Sequence, residues 1–369
     1  VRLGAVWFLP SPDRSLPRRS DALLGGRVSK MNLKELSQHL GLSQTTVSRA
    51  LNGFPEVNEA TRRRVQEAAA QFGYAPNASA RRLATGRLGA IGVVTSPESR
   101  SFDPFFALFL AGLAEGVARD DADVVLYSAP QSEELGYRRF ARIKTVDAVV
   151  LTSMEVDDRR VRLLSHLGLP VVTHGRTAGS IPHAFLDVDH AGAVMRATEL
   201  LFGLGHARVA LLGGDPRRTF SDQRRCGWQA AHAQAGTTAS PALALDGLAG
   251  EEAGYRAARR LLEGGDAPTA FVCADLFVAA GAMLATRDLG LEVGGEVSIV
   301  AHDDGLDVLR AEGCRPALTT THSSLRAAGV RVAELASELI GGGDPTELQE
   351  VWSVDLIFRA STRPPRRRR

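Results

Sequence analysis

Residues 41–53 read GLSQTTVSRALNG. Val47, Ala50 and Leu51 fall on one face of a short helical run, and Gln44, Thr45, Ser48 and Arg49 fall on the other. Ser43 stands where a side-chain oxygen caps a helix, Leu42 anchors the approach, and Asn52-Gly53 ends the run. Upstream, NLKE at 32–35 has the spacing of a reciprocal cap, with Asn first and Glu three residues on. Leu33, Leu36 and Leu40 then share a face before Gly41 closes the segment. Downstream, Asn58 opens a third helix that buries Val65, Ala68, Ala69 and Phe72 and ends at Gly73. The spacing therefore predicts three short helices joined by tight turns.

Such a unit has two readings. A helix, a Gly-containing turn and a second helix with a polar leading face is the geometry that enters a DNA major groove. Gln44 can pair with an adenine edge, Arg49 can reach guanine or a phosphate, and Thr45 can meet a thymine methyl or a phosphate. Ser43 leaves helix N-terminal N–H groups free for a phosphate. The other reading is a small helical bundle with a solvated face, and spacing does not choose between them.

Residues 1–30 carry Pro, Ser and Arg without periodicity and read as a disordered leader, with order beginning near Met31. After the three helices comes PNASARRLATGR, 76–87, whose only large apolar side chain is Leu83; a helix there cannot sustain itself without a partner. From Leu88 apolar strands alternate with amphipathic helices: GAIGVV, DVVLYS, DAVVLTS and PVVTHG, then RVALLGG, ALALDG, TAFVCAD and VSIVAHDD. That alternation predicts an α/β class with parallel sheets, and two such series predict two doubly wound lobes. The closing RPPRRRR reads as a solvated basic tail.

The chain has 369 residues, 44% of them hydrophobic, enough for two or three compact units. Its formal charge of +2 averages unlike regions, since residues 31–87 hold eight Lys/Arg against four Glu and no Asp. Cys226, Cys273 and Cys314 are widely spaced, which argues against a disulfide framework or thiolate metal site; they read as buried thiols in a reducing compartment. No apolar run is long enough for a membrane span, and the first residues lack a secretion signal, so the expected location is cytoplasmic. The common sequence handles of dinucleotide, phosphate, acyl and zinc chemistry are missing, and catalysis and cofactors are not expected.

GLSQTTVSRALNG, followed by PEVNEATRRRVQEAAAQFGYAPNASARRLATGR, resembles the DNA-binding head of the LacI/GalR family of bacterial repressors across residues 32–87. The resemblance implies that Gln44, Thr45 and Arg49 read bases, with Ser43, Ser48 and Asn52 alongside. It implies a hinge helix over the linker, with Leu83 wedged between central base pairs and Ala80 where two such helices approach. Residues 88–362 are more loosely similar to the family's periplasmic-binding-protein-like core. The implied lobes are about 88–188 with 321–346, and 189–320 with 347–362, with crossings near Asp189, Thr320 and Glu347.

Within that resemblance Arg224 stands before Gly227-Trp228 as the family's ligand-contacting arginine does, and its planar fork suits vicinal hydroxyls. Asp303, the first acid of AHDD, matches a hydroxyl-accepting position; the alternatives are a turn-capping carboxylate for Asp303 and a surface salt bridge for Arg224. Phe105, Phe106 and Phe220 stand where family members stack aromatics on ligand rings, with helix core as the alternative. Asp103 can bind a hydroxyl or cap a helix. Asp275 departs from the usual pattern, which has an aspartate at the place of Leu276, and Arg176 in THGR is a further polar group at a strand end. The resemblance implies a regulator that binds double-stranded operator DNA as a homodimer or tetramer, without a membrane, most simply a repressor released by a sugar-like effector. QTTVSRALNG and THGR lean toward regulators of α-glucoside or related disaccharide uptake. The alternatives are a ligand- or partner-activated corepressor of the same fold, and a sugar-binding protein with an incidental helical head.

Overall fold

The computed structural model describes residues 31–51, 54–74, 87–96 and 103–366. The expected leader, Asn52, the linker with Ala80 and Leu83, and residues 367–369 lie outside the described residues. The chain divides into two units, Val1–Gly86 and Arg87–Arg369.

In the first unit α1 spans Leu33–Leu40, α2 Gln44–Leu51 and α3 Glu59–Gln71. No helix of this length persists alone in water, so caps and a shared core must hold them. Asn32 Oδ1 accepts the Glu35 N–H at 3.0 Å, and Glu35 Oε2 accepts the Asn32 N–H at 2.9 Å. Gly41 takes the left-handed conformation, φ 63°, that ends α1. Ser43 Oγ accepts the Thr46 N–H at 3.0 Å, and Asn58 Oδ1 accepts that of Thr61 at 2.8 Å. Leu36, Leu40, Val47, Ala50, Val57, Val65, Ala68 and Ala69 form the core. Each fully buried Leu or Val contributes about 1.5–3 kcal/mol.

The second unit contains two six-stranded sheets. In the first, β1 (Ala90–Thr95), β2 (Asp123–Ser128), β3 (Ala148–Leu151), β4 (Val171–His174), β5 (Ala184–Val188) and β11 (Gln349–Trp352) run in the order β11-β5-β4-β3-β1-β2, all parallel. Its helices are α4 (Pro104–Ala118), α5 (Glu133–Ile143), α6 (Arg159–His166) and α11 (Leu325–Ile340). The second sheet is β12-β10-β9-β8-β6-β7, built from β6 (Val209–Leu212), β7 (Ala244–Leu245), β8 (Ala270–Cys273), β9 (Ser298–Asp303), β10 (Thr319–His322) and β12 (Asp355–Ile357), with only β12 antiparallel. Around it lie α7 (His190–Gly203), α8 (Thr219–Gln234), α9 (Gly250–Leu262) and α10 (Leu276–Asp288). The inner strands β1, β3, β6 and β8 are continuous buried, largely apolar runs, as sheets covered on two faces require. In the first lobe α4 and α11 touch backbone to backbone: a Cβ on Gly112 would overlap the Arg326 carbonyl, and one on Gly329 the Phe109 carbonyl.

The chain passes between sheets at Asp189, at 323–324 and at 353–354. The second and third positions correct the sequence expectation of Thr320 and Glu347. QEVWSVDLIF reads as one alternating stretch, and its division between sheets falls at Ser353, because Gln349–Trp352 pairs with β5 while Asp355–Ile357 pairs with β10. The expected tail also differs. The Arg363 N–H donates to Ser298 Oγ at 3.1 Å, and Arg366 pairs with Glu292 at 3.1 Å, so the second lobe continues to residue 366. Of the three free cysteines only Cys273 is buried; Cys226 is exposed and Cys314 intermediate. The α8 turn that buries Arg224 and Gly227 leaves Cys226 on its outer side. No described helix is long and apolar enough to cross a membrane.

Candidate functional site

Two regions bring chemistry-bearing side chains together. On α2, the burial of Val47 and Ala50 turns the opposite face outward, so Ser43, Gln44, Thr45 and Arg49 are exposed and Ser48 is partly covered. No acidic side chain lies in the helix's first turn, and Arg49 is in its last. The Arg49 guanidinium makes no ion pair with a described residue. This is a polar, cationic helix face on a compact scaffold, with the dimensions of a groove-reading element.

The second region lies where the C-terminal strand ends of both sheets face one another, the position at which parallel sheets bind small molecules. Arg224, on the second turn of α8, is 7% exposed. Its guanidinium lies 5.3 Å over the Phe220 ring and makes no hydrogen bond or ion pair with a described residue. Burial lowers its pKa, and the nearby charges of Asp304 and Asp275 oppose that shift. Asp304, after β9, is pushed up to about 7 by burial, with Arg224 pulling the other way. Asp275 caps α10 by accepting the Val278 N–H at 2.9 Å, and burial raises its pKa too. A buried cation beside carboxylates that it does not bond is set up to donate to something else.

The other expected residues divide. Phe105 meets Phe277, from the opposite lobe, edge to face at 5.8 Å, whereas Phe106 packs on the first-lobe core. Phe220 lies between Arg224 and His190. Asp103 caps α4, accepting the Phe106 N–H at 2.8 Å, and is exposed. Asp303 Oδ1 accepts the Gly305 N–H at 2.9 Å, which makes it a turn-capping carboxylate, and Oδ2 lies 3.8 Å from His322 Nδ1. Arg176 donates from Nε to Asp187 at 2.6 Å. The same Asp187 oxygen accepts from Gln223 Nε2 at 3.1 Å, a bond between lobes.

Several residues of this cluster were not identified from the sequence. His174, His190 and His302 pack beside it as neutral imidazoles, and the His302 nitrogens turn to Thr321 and Ser323. Burial lowers all three pKa values, that of His174 to about 4, and Arg224 lowers those of His190 and His302 further. His190 Nδ1 and Gln223 Oε1 are buried without a hydrogen-bond partner among the described residues. The one available signal was position: His190 follows the first crossing, and His302 and Asp303 end β9, with Asp304 just beyond it. At the rim Thr219 donates its N–H to the Met154 carbonyl at 2.9 Å, and Arg218 donates to that of Ser153 at 2.6 Å, closing one lobe on the other. Among the described residues no His, Cys, Asp and Glu group is arranged to hold a metal ion.

Comparison with known proteins bears on both regions. A family model described as "Bacterial regulatory proteins, lacI family" matches residues 32–77, and one described as "Periplasmic binding proteins and sugar binding domain of LacI family" matches 89–358. The HTH-type transcriptional regulator AglR of Rhizobium meliloti (strain 1021) is 46% identical over 342 residues, covering 90% of this chain and 95% of that protein. The regulator RafR of Escherichia coli is 32% identical, with 90% and 98% covered. Among solved structures, the transcriptional regulator CelR-cellobiose complex superposes with a TM-score of 0.66 at 27% identity, covering 89% of this chain and 99% of that one. The lac repressor dimer bound to operator and the anti-inducer ONPF shares the fold, with a TM-score of 0.70 at 24% identity and 90% and 99% covered.

Proposed function

The chain belongs to the LacI family of bacterial regulatory proteins, and from that premise we propose that it is a transcriptional repressor released from its operator by a small sugar. As a DNA-binding regulator it places α2 in the major groove. Gln44, Thr45 and Arg49 read bases while Ser43 and Ser48 fix the backbone. Two chains bind a pseudo-palindromic site as a homodimer, whose linkers, with Leu83 and Ala80, meet the minor groove between the heads. The exposed apolar side chains Leu126, Leu135 and Ile143 on β2 and α5 are candidates for burial between subunits. Work on chromosomal DNA places the protein in the cytoplasm.

One observation carries the effector half: the buried Arg224 guanidinium, which bonds to no described residue and is faced by Asp304 and Asp275, at the meeting of two lobes. A guanidinium fork donates to neighbouring hydroxyls, and carboxyl oxygens accept from them; phenylalanine rings cover the apolar face of a pyranose. Arg224, Asp275 and Asp304 therefore hold the sugar's hydroxyls, with Phe105 and Phe220 against its ring and Asp103, Arg176 and Asp303 at the margin. Neither half requires a chemical step. Binding biases the lobe angle, and the bias reaches the DNA-binding heads as a population shift.

The test is retardation of the gene's own upstream DNA by the pure protein, titrated with a carbohydrate panel that begins with cellobiose and α-glucosides. Release by one sugar supports the reading. Tightening by a sugar makes the protein a corepressor-dependent regulator instead, and failure to retard any such fragment removes the DNA-binding half.

A further inference from the structure

His302 is 4% exposed at the end of β9, and neither of its ring nitrogens is idle. Nδ1 lies 2.9 Å from Thr321 Oγ1 and Nε2 lies 3.0 Å from Ser323 Oγ. Thr321 is the direct partner of His302 in the parallel register of β9 and β10, whereas Ser323 is the first residue of the second crossing. One imidazole thus joins a bond inside the sheet to a bond onto the hinge. A neutral ring has one donor and one acceptor nitrogen, and the two hydroxyls can serve both.

The same crossing is tied to the cleft through the backbone. The Asp303 carbonyl accepts the Ser323 N–H and the Asp304 carbonyl accepts the Leu325 N–H, each at 3.1 Å. Ser324 Oγ then caps α11 by accepting the Ala327 N–H at 3.2 Å. Through the close seam of Gly112 and Gly329, α11 bears on α4, whose first turn holds Phe105. The His302 ring also stands 5.7 Å from that of His190, the residue after the first crossing. A shift of the carboxyl-bearing turn therefore bears on two of the three crossings, and the His302–Ser323 bond adds a side-chain link to these backbone ones.

We infer that His302 is the positioning residue that couples the cleft to the hinge, through its Nε2 bond to Ser323, without itself holding the sugar. The inference rests on the proposed sugar-responsive regulation and adds which atom transmits it. Two substitutions separate the two nitrogens. The amide of His302→Asn occupies the position of Nδ1 and can keep the Thr321 bond alone. The longer His302→Gln reaches the position of Nε2 and can keep the Ser323 bond. His302→Phe keeps the ring and neither bond.

The experiment measures, for full-length protein, sugar affinity by calorimetry and the ratio of operator affinities without and with saturating sugar. The sugar is the one that releases the parent in the panel beginning with cellobiose. The melting temperature of each variant is followed alongside. His302→Asn and His302→Phe are expected to bind the sugar within about fivefold of the parent while the operator ratio collapses at least tenfold. His302→Gln is expected to retain most of the ratio. Equal ratios for Asn and Gln variants, or an intact ratio in His302→Phe, overturn the assignment. Loss of sugar affinity in step with the ratio makes His302 a sugar contact and overturns it as well. A parent that answers to no sugar fails the regulatory reading itself, visible before any variant is made.

Discussion

Arg224→Met tests whether a buried cation is kept for a ligand at the expense of the fold. Arg224 is 7% exposed, its guanidinium makes no hydrogen bond with a described residue, and among the described residues its stacking on Phe220 and the fields of Asp304 and Asp275 offset its lost hydration. Desolvating an ion costs several kcal/mol, and methionine keeps the volume and the apolar contact with Phe220. At pH 6 Asp304, pushed up to about 7 by burial, is already mostly protonated, and removing Arg224 raises it further, so no uncompensated carboxylate is created there. The variant should gain about 1 kcal/mol without ligand, or about 2–4 °C in melting temperature. Hydrogen bonds to charged groups contribute about 1.5–3 kcal/mol each, so loss of a two-pronged contact should weaken sugar binding by at least about 100-fold. Differential scanning fluorimetry at pH 6 reads the first quantity and calorimetry the second. A variant that melts earlier and still binds sugar within about threefold would refute the reasoning, because Arg224 would then be a structural cation.

Arg49→Ala should reduce operator affinity by about 1–3 kcal/mol while random-sequence binding changes less, measured by competition retardation at fixed salt. Gly329→Ala places a methyl against the Phe109 carbonyl and should cost about 1–3 kcal/mol of stability, read as a lower melting temperature with DNA-head function intact. Asp304→Asn should shift the pH dependence of stability. The folded-state pKa of Asp304, about 7, lies above its ordinary value of 3.8, so the parent loses stability as pH rises through that window. The melting-temperature difference, variant minus parent, should thus climb between pH 4 and pH 7 and level off beyond; a flat difference would show that the carboxyl titrates normally.

The head was legible because its determinants are local. Asn32, Gly41, Ser43 and Asn58 each fix a helix end through contacts within a few residues, and the helix bounds follow from those caps. The two parallel sheets were legible from the apolar strand series for a similar reason. The crossings were less so: only pairing with β5 or β10 assigns Gln349–Trp352 and Asp355–Ile357 to different sheets, and pairing is non-local. In the cleft, Arg224 was expected from the family resemblance, and the acids in its field are Asp304, one residue past the expected Asp303, and Asp275. The Asp303 carboxylate caps the turn at Gly305, a contact set by the loop after β9. His174, His190 and His302 carry no spacing signal, because three strand and helix ends far apart in sequence bring them together.

Quantitative footprinting of the upstream DNA with the full-length protein, with and without the sugar from the panel, tests the central claim most directly. Protection of a symmetric site is expected, weakening at least tenfold when the sugar is added and lost in Arg49→Ala. A footprint indifferent to every sugar, or an unprotected upstream region, would contradict it.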